Sequence, residues 1–177
     1  MPPTLVDDAK LENLLEGYDP EPVLDAECII KDSDPDDGPL ASRILEALSQ
    51  YANIADDTVF EVLLGECVQN IRQHCSNNSY ARFYQKVDKS AILGLFELNG
   101  HTQFGSASLE NYREILKTTQ EMVNNGEHSR RLENCELRDG VHIGTSMFFR
   151  ADHVERLGIA DVDGKAYFFY EYRISKN

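Results

Sequence analysis

Leu64-Gly65-Glu66-Cys67-Val68-Gln69-Asn70-Ile71-Arg72-Gln73-His74 is the stretch on which the reading of this chain turns. With Phe60 before it, Leu64, Cys67, Val68 and Ile71 recur at helical spacing and share one face. Asp56 or Asp57 can cap such a helix, which runs to about Cys75 and stops at Asn77 and Asn78. Glu66, Asn70 and His74 follow at i, i+4 and i+8, so they drift only about 80° around the helix. They form a row along one edge, bordering the apolar face. A carboxylate, an amide and an imidazole in one line suit a nucleotide. An amide oxygen is a hard ligand for Mg²⁺, a carboxylate can orient or deprotonate a nucleophile, and an imidazole can meet phosphate. On spacing alone, solvated boundary residues of an amphipathic helix explain the row better than a site does.

Working outward, the chain alternates helices and strands. Gly38-Pro39 opens a helix carrying Leu40, Ile44, Leu48 and Tyr51. After the Glu66 helix, Tyr80–Val87 and Ala91–Leu98 read as a strand pair joined at Asp88-Lys89. The second strand is apolar on both faces and is expected at the centre of a sheet. Ser108 caps a third helix with Leu109, Tyr112, Leu116, Thr119 and Val123 on one stripe, stopped by Asn124-Asn125-Gly126. Residues 127–139 lack periodicity and are expected to form a long loop. A fourth helix is expected over Ser146–Leu157, stopped by Gly158. Asp163-Gly164 then turns a hairpin into a last strand, Ala166–Ile174, rich in Tyr and Phe.

The helix Leu64–His74 resembles the N-box helix of the GHKL ATPases, the superfamily of histidine-kinase ATP-binding domains, gyrase, Hsp90 and MutL. It looks closest to the anti-sigma-factor serine kinases. The order that follows is similar too: two strands, a helix, a long loop, a Gly-Thr before another helix, and a closing aromatic strand. The resemblance spans about residues 40–174. It implies a two-layer α/β sandwich of the Bergerat (GHKL) type, a mixed, mostly antiparallel sheet covered by helices. It also implies ATP and Mg²⁺ as cofactors, with the residue matching Glu66 as base or orienting group. Asn70 then holds the metal, and His74, Gly144 and Thr145 lie near phosphate.

The later boxes depart from the family pattern. The family's next motif is Asp-x-Gly-x-Gly, whose Asp accepts the adenine amino group. Here the strand runs into Glu97-Leu98-Asn99-Gly100-His101-Thr102. With Asn99-Gly100 aligned near the adenine, Leu98 takes the Asp place and Thr102 that of the second Gly. Glu97 substitutes only by a one-residue shift, which in a strand turns it to the other face. The glycine-rich turn behind the lid shrinks to Gly140 and Gly144-Thr145-Ser146.

Charge narrows the partners. The 177 residues hold 17 bases and 31 acids, a net of −14. Residues 1–40 carry 12 acids, 2 bases and all six prolines, a net of −10, against 19 acids and 15 bases in the remainder. A groove that neutralises phosphates is not expected, so nucleic acid and anionic membrane are not expected partners. Residues 1–38 read as an acidic extension with a short helix at Leu11–Leu15 and one strand near Glu27–Lys31, and 39–177 as the ATP-binding domain. Fully disordered is the alternative for that extension, above all for its first eight residues. Asp32 to Asp37 miss the calcium-loop pattern, with Asp37 and Arg43 where Gly and Glu are required. His101, His128, His142 and His153 show no zinc spacing. Cys28, Cys67, Cys75 and Cys135 read as reduced thiols, and the start shows no basic or apolar leader, so a cytoplasmic protein is expected. On Tyr167–Tyr172, core on one side and partner contact on the other is expected. Arg130, Arg131 and Arg138 suit a phosphate, an acidic partner or plain solvation alike.

Two functions are expected from this. One is a cytosolic ATP/Mg²⁺-binding regulator resembling the anti-sigma serine kinases, acting on a protein partner and catalytic only if the site is active. The other is a non-catalytic interaction protein on a decayed GHKL scaffold, using its acidic arm or outer aromatic strand against a basic partner surface. A homodimer is compatible with either.

Overall fold

A computed structural model describes residues 2–28, 38–74, 79–98, 108–127 and 141–175. In chain order the elements are β1 (Thr4–Lys10), α1 (Leu11–Leu14), β2 (Leu24–Cys28), α2 (Gly38–Leu48), α3 (Thr58–His74), β3 (Ser79–Gln85), β4 (Ala91–Glu97), α4 (Ser108–Asn124), α5 (Val141–Arg150), β5 (Val154–Val162) and β6 (Lys165–Arg173). The strands form one sheet in the order β1-β5-β6-β4-β3-β2. β1 runs parallel to β5, and every other pair is antiparallel. The chain is therefore a mixed α/β fold built on a six-stranded, mostly antiparallel sheet.

Local chemistry explains several boundaries. Asp57 caps α3, its Oδ1 accepting from the Phe60 N–H at 3.0 Å. α4 ends in a Schellman turn: Glu127 N donates to the Met122 carbonyl, Gly126 N donates to that of Val123, and Gly126 takes a φ of 70°. Asp163 and Gly164, at φ 53° and 80°, make the left-handed pair that a two-residue hairpin requires. All seven residues of β4 are buried, as expected of a central strand.

Two layers of side chains cover the sheet. On one face α2, α3, α4 and α5 close over Phe83, Ile92, Phe96, Leu157, Ile159, Phe168, Tyr170 and Tyr172. On the other, Leu14 and Tyr18 lie over Tyr84, Leu93, Leu95, Ala160, Tyr167 and Phe169. These two residues belong to the strap 11–23, which carries the chain from β1 at one sheet edge to β2 at the other.

Three expectations are corrected. The first residues join the sheet as β1, and the strand expected near Glu27–Lys31 lies earlier, as β2. The helix expected over Ser146–Leu157 is α5, which starts at Val141 and so takes Gly144-Thr145 inside a helix instead of in a turn before one, followed by β5. Ala151 to His153 turn the chain, and Val154, Leu157, Ile159, Ala160 and Val162 are buried in a strand paired along its length with β6. Gly158 stops no helix. It lies opposite Val6 where β1 pairs with β5, and a Cβ there would fall on the Val6 carbonyl oxygen. β6, finally, is an interior strand buried on both faces from Tyr167 to Tyr172, where one face was expected to be open. The segment Asp32–Asp37, the loop 128–139 and the stops Asn77 and Asn78 lie outside the described residues.

Candidate functional site

α3 fixes the direction of the Glu66 row. Its start stands over Tyr172: the Tyr172 hydroxyl donates to the Asp57 carboxylate at 2.9 Å, and the Phe60 and Tyr172 rings meet edge to face at 5.1 Å. Two turns on, Cys67 lies beside Tyr170, which is nearer the end of β4. The helix thus runs along β4 toward the sheet end where β4 stops, and residues 75–78 join it to β3, which starts at that end. Glu66 is half-buried, and burial pushes its carboxyl above the usual range. Beside it Gly65 faces open space, since a Cβ there would meet nothing within 4 Å. Asn70 and His74 occupy backbone positions one and two turns further toward the sheet end.

α5 reaches the same region from the other side. Phe148 packs on Phe168 and Tyr170 at 5.2 Å each, and Arg150 ends the helix shortly before β5 starts at the far end of the sheet. Gly144 precedes Phe148 by one turn, so Gly144 and Thr145 lie in the half of α5 directed toward the end of β4. Ser146 is buried. α3 and α5 contact each other across the helix face.

The structure separates Glu97 from this group. Leu93 and Leu95 face the strap while Ile92 and Phe96 face the helices, and Glu97 continues the strap-side alternation. Its carboxylate is 1% exposed, accepts from the Tyr80 N–H at 3.3 Å and pairs with Lys165 at 3.5 Å. Leu98 packs against the helix-side core. Glu97 and Leu98 therefore lie on opposite faces of the sheet, Glu97 under the strap and Leu98 under the helices. Asn99 and Gly100 lie outside the described residues. Among the described residues no group of three or more His, Cys, Asp or Glu side chains is disposed to hold a metal.

Two polar features have no counterpart in the sequence reading. Tyr170 is fully buried among Phe60, Phe96, Phe148 and Phe168, and its hydroxyl has no hydrogen-bond partner among the described residues. Burial, then the neighbouring Cys67, holds its pKa well above the ordinary tyrosine value. Under the strap, Tyr18 donates to Glu171 at 2.5 Å, while Arg156 donates to both Glu171 (3.1 Å) and the Leu14 carbonyl (2.8 Å). Tyr18 and Glu171 lie 153 positions apart and Arg156 and Leu14 lie 142 apart, and no local pattern signals such a pairing.

No family model, curated protein or solved structure matches the chain.

Proposed function

We propose that this protein is a nucleotide-binding regulator of the GHKL type, with a Bergerat-like sandwich, that acts on a protein partner. The observation that carries the reading is the course of α3, whose Glu66-Asn70-His74 edge leads to the sheet end approached by the Gly144-Thr145 half of α5. The order of elements after α3, two strands, a helix, a helix bearing Gly-Thr and a closing hairpin, supports the same type.

In this reading the residues at the phosphate end fit the cofactor, and the adenine end does not. When bound, Mg-ATP supplies the phosphoryl group and a divalent charge. The chain's own part is to hold and to orient. The Asn70 amide oxygen is a hard donor for Mg²⁺. His74 and the first-turn N–H groups of α5, which end at Gly144, serve phosphate oxygens. Half-burial makes the Glu66 carboxylate a better proton acceptor for a partner's hydroxyl or a water.

Thermal unfolding with and without millimolar ATP and MgCl₂ tests this. A ligand at about 100 times its Kd adds about 2.7 kcal/mol, several degrees for a domain of this size. The expected shift requires Mg²⁺ and disappears in Asn70→Ala. A shift that survives in the double variant Glu66→Ala, Asn70→Ala would refute the site.

One observation favours a second reading. Leu98 stands where the family has its adenine-binding Asp, and Glu97 faces the strap. A non-catalytic interaction protein on the same scaffold, binding a basic partner, needs neither. It predicts no Mg-ATP shift. Because residues 4–28 contribute two strands, its acidic charge then works from the sheet itself.

A further inference from the structure

The two edges of the sheet are built differently. At β1 the register breaks between Val6 and Ala9, and Asp8 takes a φ of 56°. Asp7 and Asp8 turn onto α4, where they pair with Arg113, and Asp7 also reaches Lys117 at 3.7 Å. A bulge with inward-tied charges keeps further strands from adding. β2 has no bulge, and its one inward-tied charge among the described side chains is Asp25, paired with Arg82 of β3 at 3.5 Å. Its five residues pair in unbroken register with β3, from Leu24 opposite Phe83 to Cys28 opposite Ser79, and contain no proline, glycine or lysine. Among the described residues no strand pairs with its outer side, so alternate N–H and C=O groups point outward.

Charge says what would pair there. Residues 19–27 hold four acids (Asp19, Glu21, Asp25 and Glu27) and no base. Asp19 and Glu21 are exposed just before β2, and the Asp25 side chain is 48% exposed within it. A second copy of the chain would set acids against acids across the new pair, which is unfavourable. A strand bearing Lys or Arg meets the opposite charge. We propose that β2 accepts an extended, lysine- or arginine-bearing segment of a partner protein as a seventh strand. Backbone hydrogen bonds supply the affinity, and the exposed Asp19 and Glu21, with the acids of β2 beside them, select the charge. The inference rests on the partner half of the reading above and on none of the nucleotide half.

The test uses the full chain without nucleotide. The probe is a fluorescent seven-residue peptide of alternating Lys and Val, beside a counterpart with Glu in place of Lys. Anisotropy reads binding, and amide hydrogen exchange reads its place. The expected result is binding of the Lys peptide alone, with slowed exchange at residues 24–28. Affinity should fall about tenfold in Asp25→Asn, Glu27→Gln, which keeps the shape of both side chains, and further in Asp25→Lys, Glu27→Lys. No binding, equal binding of both peptides, or slowed exchange away from β2 would overturn the proposal. So would a concentration-dependent dimer that protects β2 without peptide. A missing Mg-ATP shift leaves this experiment intact, and a failed peptide leaves the nucleotide site untouched.

Discussion

The helix face and the strap face of the sheet are held by different physics. On the helix face, regular helices of 10 to 17 residues lay apolar stripes on a continuous aromatic cluster. There Phe60, Phe83, Phe96, Phe148, Phe168, Tyr170 and Tyr172 meet at 5.1 to 6.5 Å. Packing alone can hold such a layer. On the strap face a crossing with one helical turn lays only Leu14 and Tyr18, flanked by Leu11 and Leu15, on a smaller apolar cluster. It is tied down by Tyr18, Glu171 and Arg156, a charge-assisted network with a buried carboxylate at its centre. The difference teaches where each layer fails: one by cavities, the other by loss of a single polar partner.

The largest effect is expected on the helix face. Phe60→Ala empties a fully buried site between Tyr170 and Tyr172 and should cost about 3–5 kcal/mol, read from urea unfolding. A loss under about 1 kcal/mol would mean that the aromatic layer repacks freely. Next comes Gly158→Ala. Its methyl would fall on the Val6 carbonyl oxygen, so β1 must shift or detach, at about 2–3 kcal/mol. Hydrogen exchange should quicken in Thr4–Lys10 and leave α3 unchanged. Uniform quickening would show that both faces unfold as one unit.

Tyr18→Phe probes the strap directly. It removes one donor from Glu171 and leaves Arg156 in place, so about 1.5 kcal/mol is expected, with local opening of residues 11–23. Tyr170→Phe is its counterpart on the helix face. Removing a buried hydroxyl that has no partner among the described residues should be neutral or should stabilise by up to about 1 kcal/mol. A clear loss would reveal a hydrogen bond to bound water or ligand at that hydroxyl.

Legibility followed the same divide. The helix face was readable because its signals are local. A 3.6-residue period marks α3 and α4, turn chemistry marks Asp163-Gly164, and the apolar run Ala91–Phe96 marks a central strand. The phase of β4 also announced that Glu97 and Leu98 face opposite ways. The strap face was hidden because its signals are distant. β1 carries Asp7 and Asp8 in a bulge that breaks the alternation, and its partner β5 lies about 150 positions away. β5 itself read as the end of a helix, since Val154, Glu155, Arg156 and Leu157 suit either period until pairing with β6 decides.

The smallest effect sharpens the comparison at the candidate site. Burial raises the Glu66 carboxyl above its unfolded value, so the folded state binds its proton more tightly than the unfolded chain does. Stability must then fall as pH rises from the unfolded pKa through the folded one, and the penalty stays at neutral pH. Glu66→Gln removes the titration. The variant should be slightly more stable than the parent at pH 7, and the gap should close once the pH falls below the ordinary carboxylate range. Thermal unfolding across pH 3.5 to 7.5 measures the difference. A structural helix residue has no reason to keep a destabilising charge, whereas a base that accepts a proton must remain ionised at a desolvated edge. A gap that closes at low pH, together with loss of the Mg-ATP response in the same variant, would mark Glu66 as held there for chemistry. A gap of the opposite sign would return it to the solvated border of α3.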